Sequence, residues 1–181
     1  LIVCGPGNNG GDGYVVARIL RSRGIDPAVV FAGDEARLPA EAREALAGYR
    51  SVGGEIGGEI PERPFSLAVD ALFGIGLLRP IEGVHAALIG RLNGLGCPVL
   101  ALDVPSGLCA DTGRVLGIAV KAAYTATFIA LKPGLLTLDG PDHCGEVSVH
   151  DLGLKVDAMN GCTIGAPLFS QHLTARTRNS H

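Results

Sequence analysis

The chain has 181 residues, 15 Lys and Arg against 18 Asp and Glu, a net charge of −3 and 47% hydrophobic residues. That length fits one domain whose core needs no disulfide or metal staple. The charge leaves no basic face for nucleic acid, and no apolar run approaches the roughly 18 residues of a membrane-spanning helix.

LIVCG (1–5) is a continuous apolar run ending in glycine, the pattern of a strand buried on both faces. Val15, Val16, Ile19 and Leu20 recur at helical spacing and predict a helix from Asp12 to about Gly24. PAVVFAG (27–33) predicts a second strand, and the alanine-rich run from Pro39 predicts a helix closed by glycines. SLAVDALFG (66–74) reads as a third strand, GVHAALIGRLNG (83–94) as a helix and CPVLALDVPSG (97–107) as a fourth strand. Two β-rich stretches follow, AAYTATFIALKPG (122–134) and EVSVHDLG (146–153). Strands alternating with helices predict a mainly parallel sheet covered by helices on both faces. The pattern lapses after Leu154, so the domain is set at 1–154 and 155–181 reads as a linker or tail. The chain starts mid-strand on a leucine, so it reads as a piece of a longer protein, and a targeting segment upstream stays open. The cysteines at 4, 97, 109, 144 and 162 form no C-x-x-C pair, which fits reduced thiols and a cytoplasmic setting.

In open α/β sheets, ligands bind beyond the carboxyl ends of the strands. Three polar clusters fall at such ends: GPGNNGGDG (5–13), Asp70 in VDALFGIGLLRP (69–80), and Asp103 with Ser106 in ALDVPSGL (101–108). Gly5, Gly7 and Gly10 spell the dinucleotide pattern G-x-G-x-x-G, yet Asp12 stands where it would repel a pyrophosphate. The acid expected on a ribose about 20 residues later is also poorly placed, Asp34 being the nearest. Each of these acids, taken alone, reads first as a turn former or cap. Together with the amides of Asn8 and Asn9 they form a set of hard oxygens without thiol or imidazole, suited to an alkali or alkaline-earth cation. Lys132 in LKPG either meets a phosphate or covers a sheet edge with its stem, and the second reading is preferred. The histidines at 85, 143, 150, 172 and 181 show no ligand spacing.

GPGNNGGDG, VDALFGIGL, ALDVPSGL and TATFIALKPGL, in that order, resemble the NAD(P)H-hydrate epimerase family, the YjeF N-terminal domain, over about residues 1–154. The resemblance implies a Rossmann-like three-layer α/β/α sandwich, commonly a homodimer. It implies an isomerase that interconverts the R and S epimers of hydrated NADH or NADPH for cofactor repair, with a potassium ion. By position, Asn8, Asn9, Gly10, Gly11 and Asp12 would contact the hydrated dinucleotide, and Asn9, Asp70 and Ser106 would hold the potassium. Gly74, Ile75, Gly76, Leu77, Leu78, Arg79 and Pro80 would wrap the phosphates, while Asp103 would reach the nicotinamide and act as the proton carrier with Asn8 orienting the hydroxyl. Ile75 departs from the family, which usually has a small polar residue there, and the family's helical N-terminal segment is missing. The tail ARTRNSH resembles the start of a fused dehydratase domain. Two other readings remain: a non-catalytic binding or scaffold module on the same fold, and an NAD(P)-dependent oxidoreductase.

Overall fold

The computed structural model describes residues 1–154; the tail at 155–181, with its expected dehydratase start, lies outside the described residues. In chain order the elements are β1 (Ile2–Cys4), α1 (Asn8–Ser22), β2 (Val29–Phe31), α2 (Ala40–Ser51), β3 (Ile56–Gly57), β4 (Ala68–Ala71), α3 (Gly83–Asn93), β5 (Val99–Leu102), β6 (Tyr124–Phe128), α4 (Gly140–Cys144) and β7 (Glu146–His150). The seven strands form one all-parallel sheet in the order β3-β2-β1-β4-β5-β6-β7. The order reverses direction at β1, so the crevice beyond β1 and β4 is the topological switch point of the sheet.

Alternation along the central strands divides the core in two. Ile2, Cys4, Val69 and Ala71 pack against Tyr14 and Ala17 of α1 and Ala42, Leu46 and Tyr49 of α2. Leu1, Val3, Ala68, Leu72 and Val99 pack on the other face against Leu88, Ile89 and Leu92 of α3. Because each parallel strand feeds both layers, its residues are apolar at nearly every position, which is the continuous pattern LIVC and VLAL display. The three-layer α/β/α architecture is therefore present. The connection from β5 to β6 carries no helix and instead packs Val104, Leu108 and Ala110 onto Leu135 and Cys144.

Two boundaries differ from the sequence reading in ways that shape the site. Helix α1 begins at Asn8, with Gly7 as its N-cap, so both asparagines are helical and Asp12 lies a full turn inside. The strand expected over 66–74 is β4, which ends at Ala71, and residues 72–77 turn away to line a cleft. The two-residue β3 and five-residue α4 are too short to carry a period. No helix among the described residues is long and apolar enough to cross a membrane. The four cysteines among them, Cys4, Cys97, Cys109 and Cys144, are free thiols.

Candidate functional site

The parallel register brings the strand ends level. Cys4 stands opposite Ala71, Asp70 opposite Ala101, and Leu102 opposite Ala126. The residues that follow each strand therefore meet at one edge and enclose a cleft of about 530 Å³. Its walls include Asn8, Asn9, Asp12, Gly74, Ile75, Gly76, Leu77, Asp103, Phe128 and Lys132.

The glycine loop divides its labour. A Cβ added to Gly5 would lie 1.7 Å from the Leu72 carbonyl oxygen, and one on Gly10 would lie 2.0 Å from the Gly5 carbonyl oxygen. These two positions let the loop pass against β4, whereas a Cβ on Gly7 would meet nothing within 4 Å. Gly11 sits where α1 crosses α2, its added Cβ only 3.0 Å from the Ala42 α-carbon. No side chain caps α1, and its first turn holds no acid. Its leading N–H groups have no intrahelical partner and suit an anion. Asn8 and Asp12, four residues apart, share the exposed helix face that lines the cleft. Asn9 turns inward instead, 9% exposed, and among the described residues neither its Oδ1 nor its Nδ2 has a hydrogen-bond partner.

Asp70 is completely buried in the central strand β4. Its Oδ1 accepts from the Ser106 hydroxyl at 2.6 Å and the Leu72 N–H at 3.2 Å, and its Oδ2 accepts from the Ser106 N–H at 2.8 Å. The Ser106 oxygen in turn accepts from the Phe73 N–H at 2.9 Å. Burial pushes the Asp70 carboxyl up to about 6, against the pull of these donors. A carboxylate held here is one for which a cation would supply missing charge compensation.

Asp103 immediately follows β5 and has φ 68°, in the left-handed region that aspartate tolerates better than most side chains. Its backbone N–H donates to Ala126 O at 2.8 Å. Its Oδ1 is 2.5 Å from the Lys132 ammonium and 3.5 Å from the Thr127 hydroxyl. Its Oδ2 faces the bare α-carbon of Gly74, where an added Cβ would be 3.0 Å away and 3.6 Å from Asn9 Cγ. Across the cleft, Asp12 has its carboxyl raised above the ordinary range, first by desolvation and then by the charge on Asp103.

The expected site residues thus fall into groups. Asn8, Asn9, Asp12, Asp103 and Gly74 to Leu77 line the cleft, with Asp70 and Ser106 buried beneath its floor. Gly10 and Gly11 lie within α1 at close backbone contacts, and Leu78, Arg79 and Pro80 lie beyond the cleft lining, Leu78 being 86% exposed. Ile75 stands exposed at the cleft wall. Lys132 also lines the cleft and donates to the buried Thr127, whereas the sequence alone favours a sheet-edge role for the lysine and gives the threonine none. The alternation in YTATF, which buries Thr125 and Thr127 fully, was the signal for the latter. His85 and His143 contact backbone carbonyls, Ala32 O at 3.0 Å and Val120 O at 2.8 Å, and take no part.

A doubly wound parallel sheet, a glycine loop opening a helix at its switch point and an acid-lined cleft define an α/β protein with a cleft where such folds hold small molecules. Residues 1–134 match the family described as YjeF-related protein N-terminus, and the chain belongs to that family. It is 43% identical over 158 residues to the NAD(P)H-hydrate epimerase of Bordetella pertussis, covering 85% of this chain and 69% of that protein. It is 44% identical over 156 residues to the bifunctional NAD(P)H-hydrate repair enzyme Nnr of Escherichia coli, covering 85% of this chain and 30% of that protein. The bifunctional NAD(P)H-hydrate repair enzyme of Leishmania infantum is 44% identical over 161 residues, 86% of this chain and 29% of the relative. The chain thus spans under a third of the bifunctional relatives it matches. The crystal structure of yeast ynu0, YNL200c, shares the fold with a TM-score of 0.67 at 22% identity, covering 82% of this chain and 63% of that one.

Proposed function

We propose that this chain is an NAD(P)H-hydrate epimerase unit that interconverts the R and S epimers of hydrated NADH and NADPH. The names of its relatives support the activity. The observation that carries the reading is Asp103, a carboxylate fixed on a left-handed turn with one oxygen toward the cleft, beside the open first turn of α1.

The reacting centre is the nicotinamide C6, which bears a hydroxyl next to the ring nitrogen. Inversion requires the C6 centre to lose its configuration and to re-form it from the other face, through water loss or ring opening. Either route moves a proton at the hydroxyl oxygen, and a carboxylate within hydrogen-bond reach can both take and return it. Asp103 performs that transfer. The Asn8 amide, on the exposed face of α1, orients the hydroxyl, and Asp12 on the same face completes the polar wall. The amides of the α1 first turn and of the loop 74–77 receive the pyrophosphate.

The buried oxygens fit a potassium ion. They are hard donors without a thiolate or imidazole, and the Asn9 carbonyl is the one that lacks a partner. Asn9, Asp70 and Ser106 would hold it, and the ion would supply positive charge between carboxylates and a phosphate-bearing ligand. The same reading takes the chain as a homodimer in the cytoplasm, joined to a dehydratase that consumes one epimer. The bifunctional names of relatives three times its length support the joined arrangement.

A coupled assay tests the reading. Mixed hydrate epimers are given to a stereospecific dehydratase at a pH where spontaneous epimerisation is slow, with and without this chain. The chain converts the slow phase of cofactor recovery into a fast one, and Asp103→Asn lowers its rate by roughly 10²–10⁴-fold while leaving it folded, since asparagine also accepts φ 68°. A slow phase unchanged by folded protein would remove the enzyme reading and leave a binding module.

A further inference from the structure

Lys132 is the cation of the cleft, and the geometry accounts for all three of its donors. Its ammonium lies 2.5 Å from Asp103 Oδ1, donates to Thr127 Oγ1 at 2.9 Å and donates to Phe128 O at 2.6 Å. An ammonium has three N–H groups and no acceptor, so none remains for a phosphate. The pair is screened from water, the lysine side chain being 17% and the aspartate 14% exposed. Lys132 is also placed rigidly. It caps the 3₁₀ turn Pro133–Leu135, whose Gly134 N–H donates to Ala110 O at 2.6 Å. A Cβ on Gly134 would lie 2.1 Å from Cys109 O, so the turn is packed directly against that segment.

This arrangement treats the two Asp103 oxygens unequally. Oδ1 is occupied by Lys132 and approached by Thr127, while Oδ2 faces the bare α-carbon of Gly74 at the cleft wall. We infer that Lys132 is a positioning residue for the reaction: it anchors Asp103 Oδ1, so that Oδ2 alone exchanges the proton with the substrate hydroxyl. The inference rests on the proposed epimerase reading and adds to it the group that aims its proton carrier. As Oδ2 takes the hydroxyl proton of one epimer the C6–N1 bond opens to an aldehyde with its electron pair left on N1, and re-closure of C6–N1 on the other face returns the proton to the oxygen, so no co-reactant is needed. Thr127, buried and bonded to the same ammonium, holds the lysine at the correct height above β6.

The test is steady-state kinetics on mixed hydrate epimers coupled to an excess of stereospecific dehydratase, with melting temperatures alongside, for the wild-type chain, Lys132→Met, Lys132→Arg, Asp103→Asn and the Asp103→Asn/Lys132→Met double variant. Lys132→Met is expected to lower kcat by roughly 10–100-fold with KM within about threefold, the pattern of an interaction that matters in the transition state. Lys132→Arg, which keeps charge and donors, falls between Met and wild type and serves if Met melts too low to assay. The double variant is no slower than Asp103→Asn, because a residue acting through Asp103 has nothing to act on once the carboxylate is gone. A KM raised tenfold with kcat unchanged would make Lys132 a substrate contact and overturn the inference, as would a double variant slowed by the product of the two single effects. An Asp103→Asn variant as fast as wild type, or a folded wild type without turnover, would overturn the functional reading and the role of Lys132 with it.

Discussion

Ser106, in the loop after β5, and Asp70, in the adjacent strand β4, are joined twice, hydroxyl to Oδ1 at 2.6 Å and backbone N–H to Oδ2 at 2.8 Å. The hydroxyl oxygen also receives the Phe73 N–H at 2.9 Å, so one serine ties β4, the loop after it and the loop after β5 together. Ser106→Ala removes a donor from a buried carboxylate and strands the Phe73 N–H. The expected loss is about 1–3 kcal/mol of stability, read as a lower urea midpoint. A midpoint equal to wild type would show that the loops are held by something else.

Asn9 makes a second expectation, one of opposite signs in two buffers. Potassium at ten times its Kd should stabilise the wild-type chain by roughly 1.4 kcal/mol relative to choline chloride. Asn9→Leu abolishes that response. Without potassium it is at least as stable as wild type, because it deletes two buried polar atoms that have no partner among the described residues. An equal response of the wild type to sodium, or a response surviving in Asn9→Leu, would count against an ion bound there.

Asp12 gives a pH dependence. Its carboxyl is raised above the ordinary 3.8 by desolvation first and the Asp103 charge second. A raised folded-state value means the folded chain keeps a proton that the unfolded chain has released. The stabilisation is therefore complete below 3.8 and is lost as pH climbs through the raised value. Asp12→Asn carries no such loss, so its melting temperature should gain on wild type between about pH 3.5 and about pH 7. The exposed position keeps the gain small. A difference that stays flat or reverses over that range would contradict the assignment.

The glycines of the first loop separate fold from binding. Gly5→Ala forces a Cβ to 1.7 Å from the Leu72 carbonyl oxygen, and the variant should not accumulate as folded protein. Gly7→Ala meets nothing within 4 Å in the free chain and costs about 1 kcal/mol at most, as an N-cap exchange. Its methyl group would project at the cleft wall, so KM rises while the melting temperature barely moves. Circular dichroism of both variants, followed by kinetics on the second, checks the contrast.

How far the sequence carried depended on the reach of each signal. Apolar runs such as LIVC and VLAL gave strands buried on both faces, because an all-parallel sheet demands them. The order of four motifs placed Asp70, Asp103 and Ser106 near one another, since residues after parallel strands must share an edge. The start of α1 was misplaced at Asp12 because asparagine and glycine favour turns locally, while the packing of Gly10 against Gly5 and Gly11 against Ala42 overrides that preference. Lys132 was undervalued for a related reason. No local spacing links it to Asp103; only the pairing of β5 with β6, Leu102 opposite Ala126, brings the two level. The distinction between the two carboxylate oxygens of Asp103 has no counterpart in sequence at all.

That pairing has a consequence for biosynthesis. The acids of the cleft enter the growing chain from Asp12 onward, and the ammonium that balances Asp103 arrives only at position 132. At 5–20 residues per second, the ribosome needs roughly 6–24 s to travel from Asp12 to Lys132. Within that interval β1 recruits β2 and then β4, and β5 must wait for β6 to cover its other edge. A nascent chain halted before β6 therefore carries an acid cluster without its counter-charge and a parallel edge without its neighbour, a state suited to chaperone capture and unsuited to holding a dinucleotide.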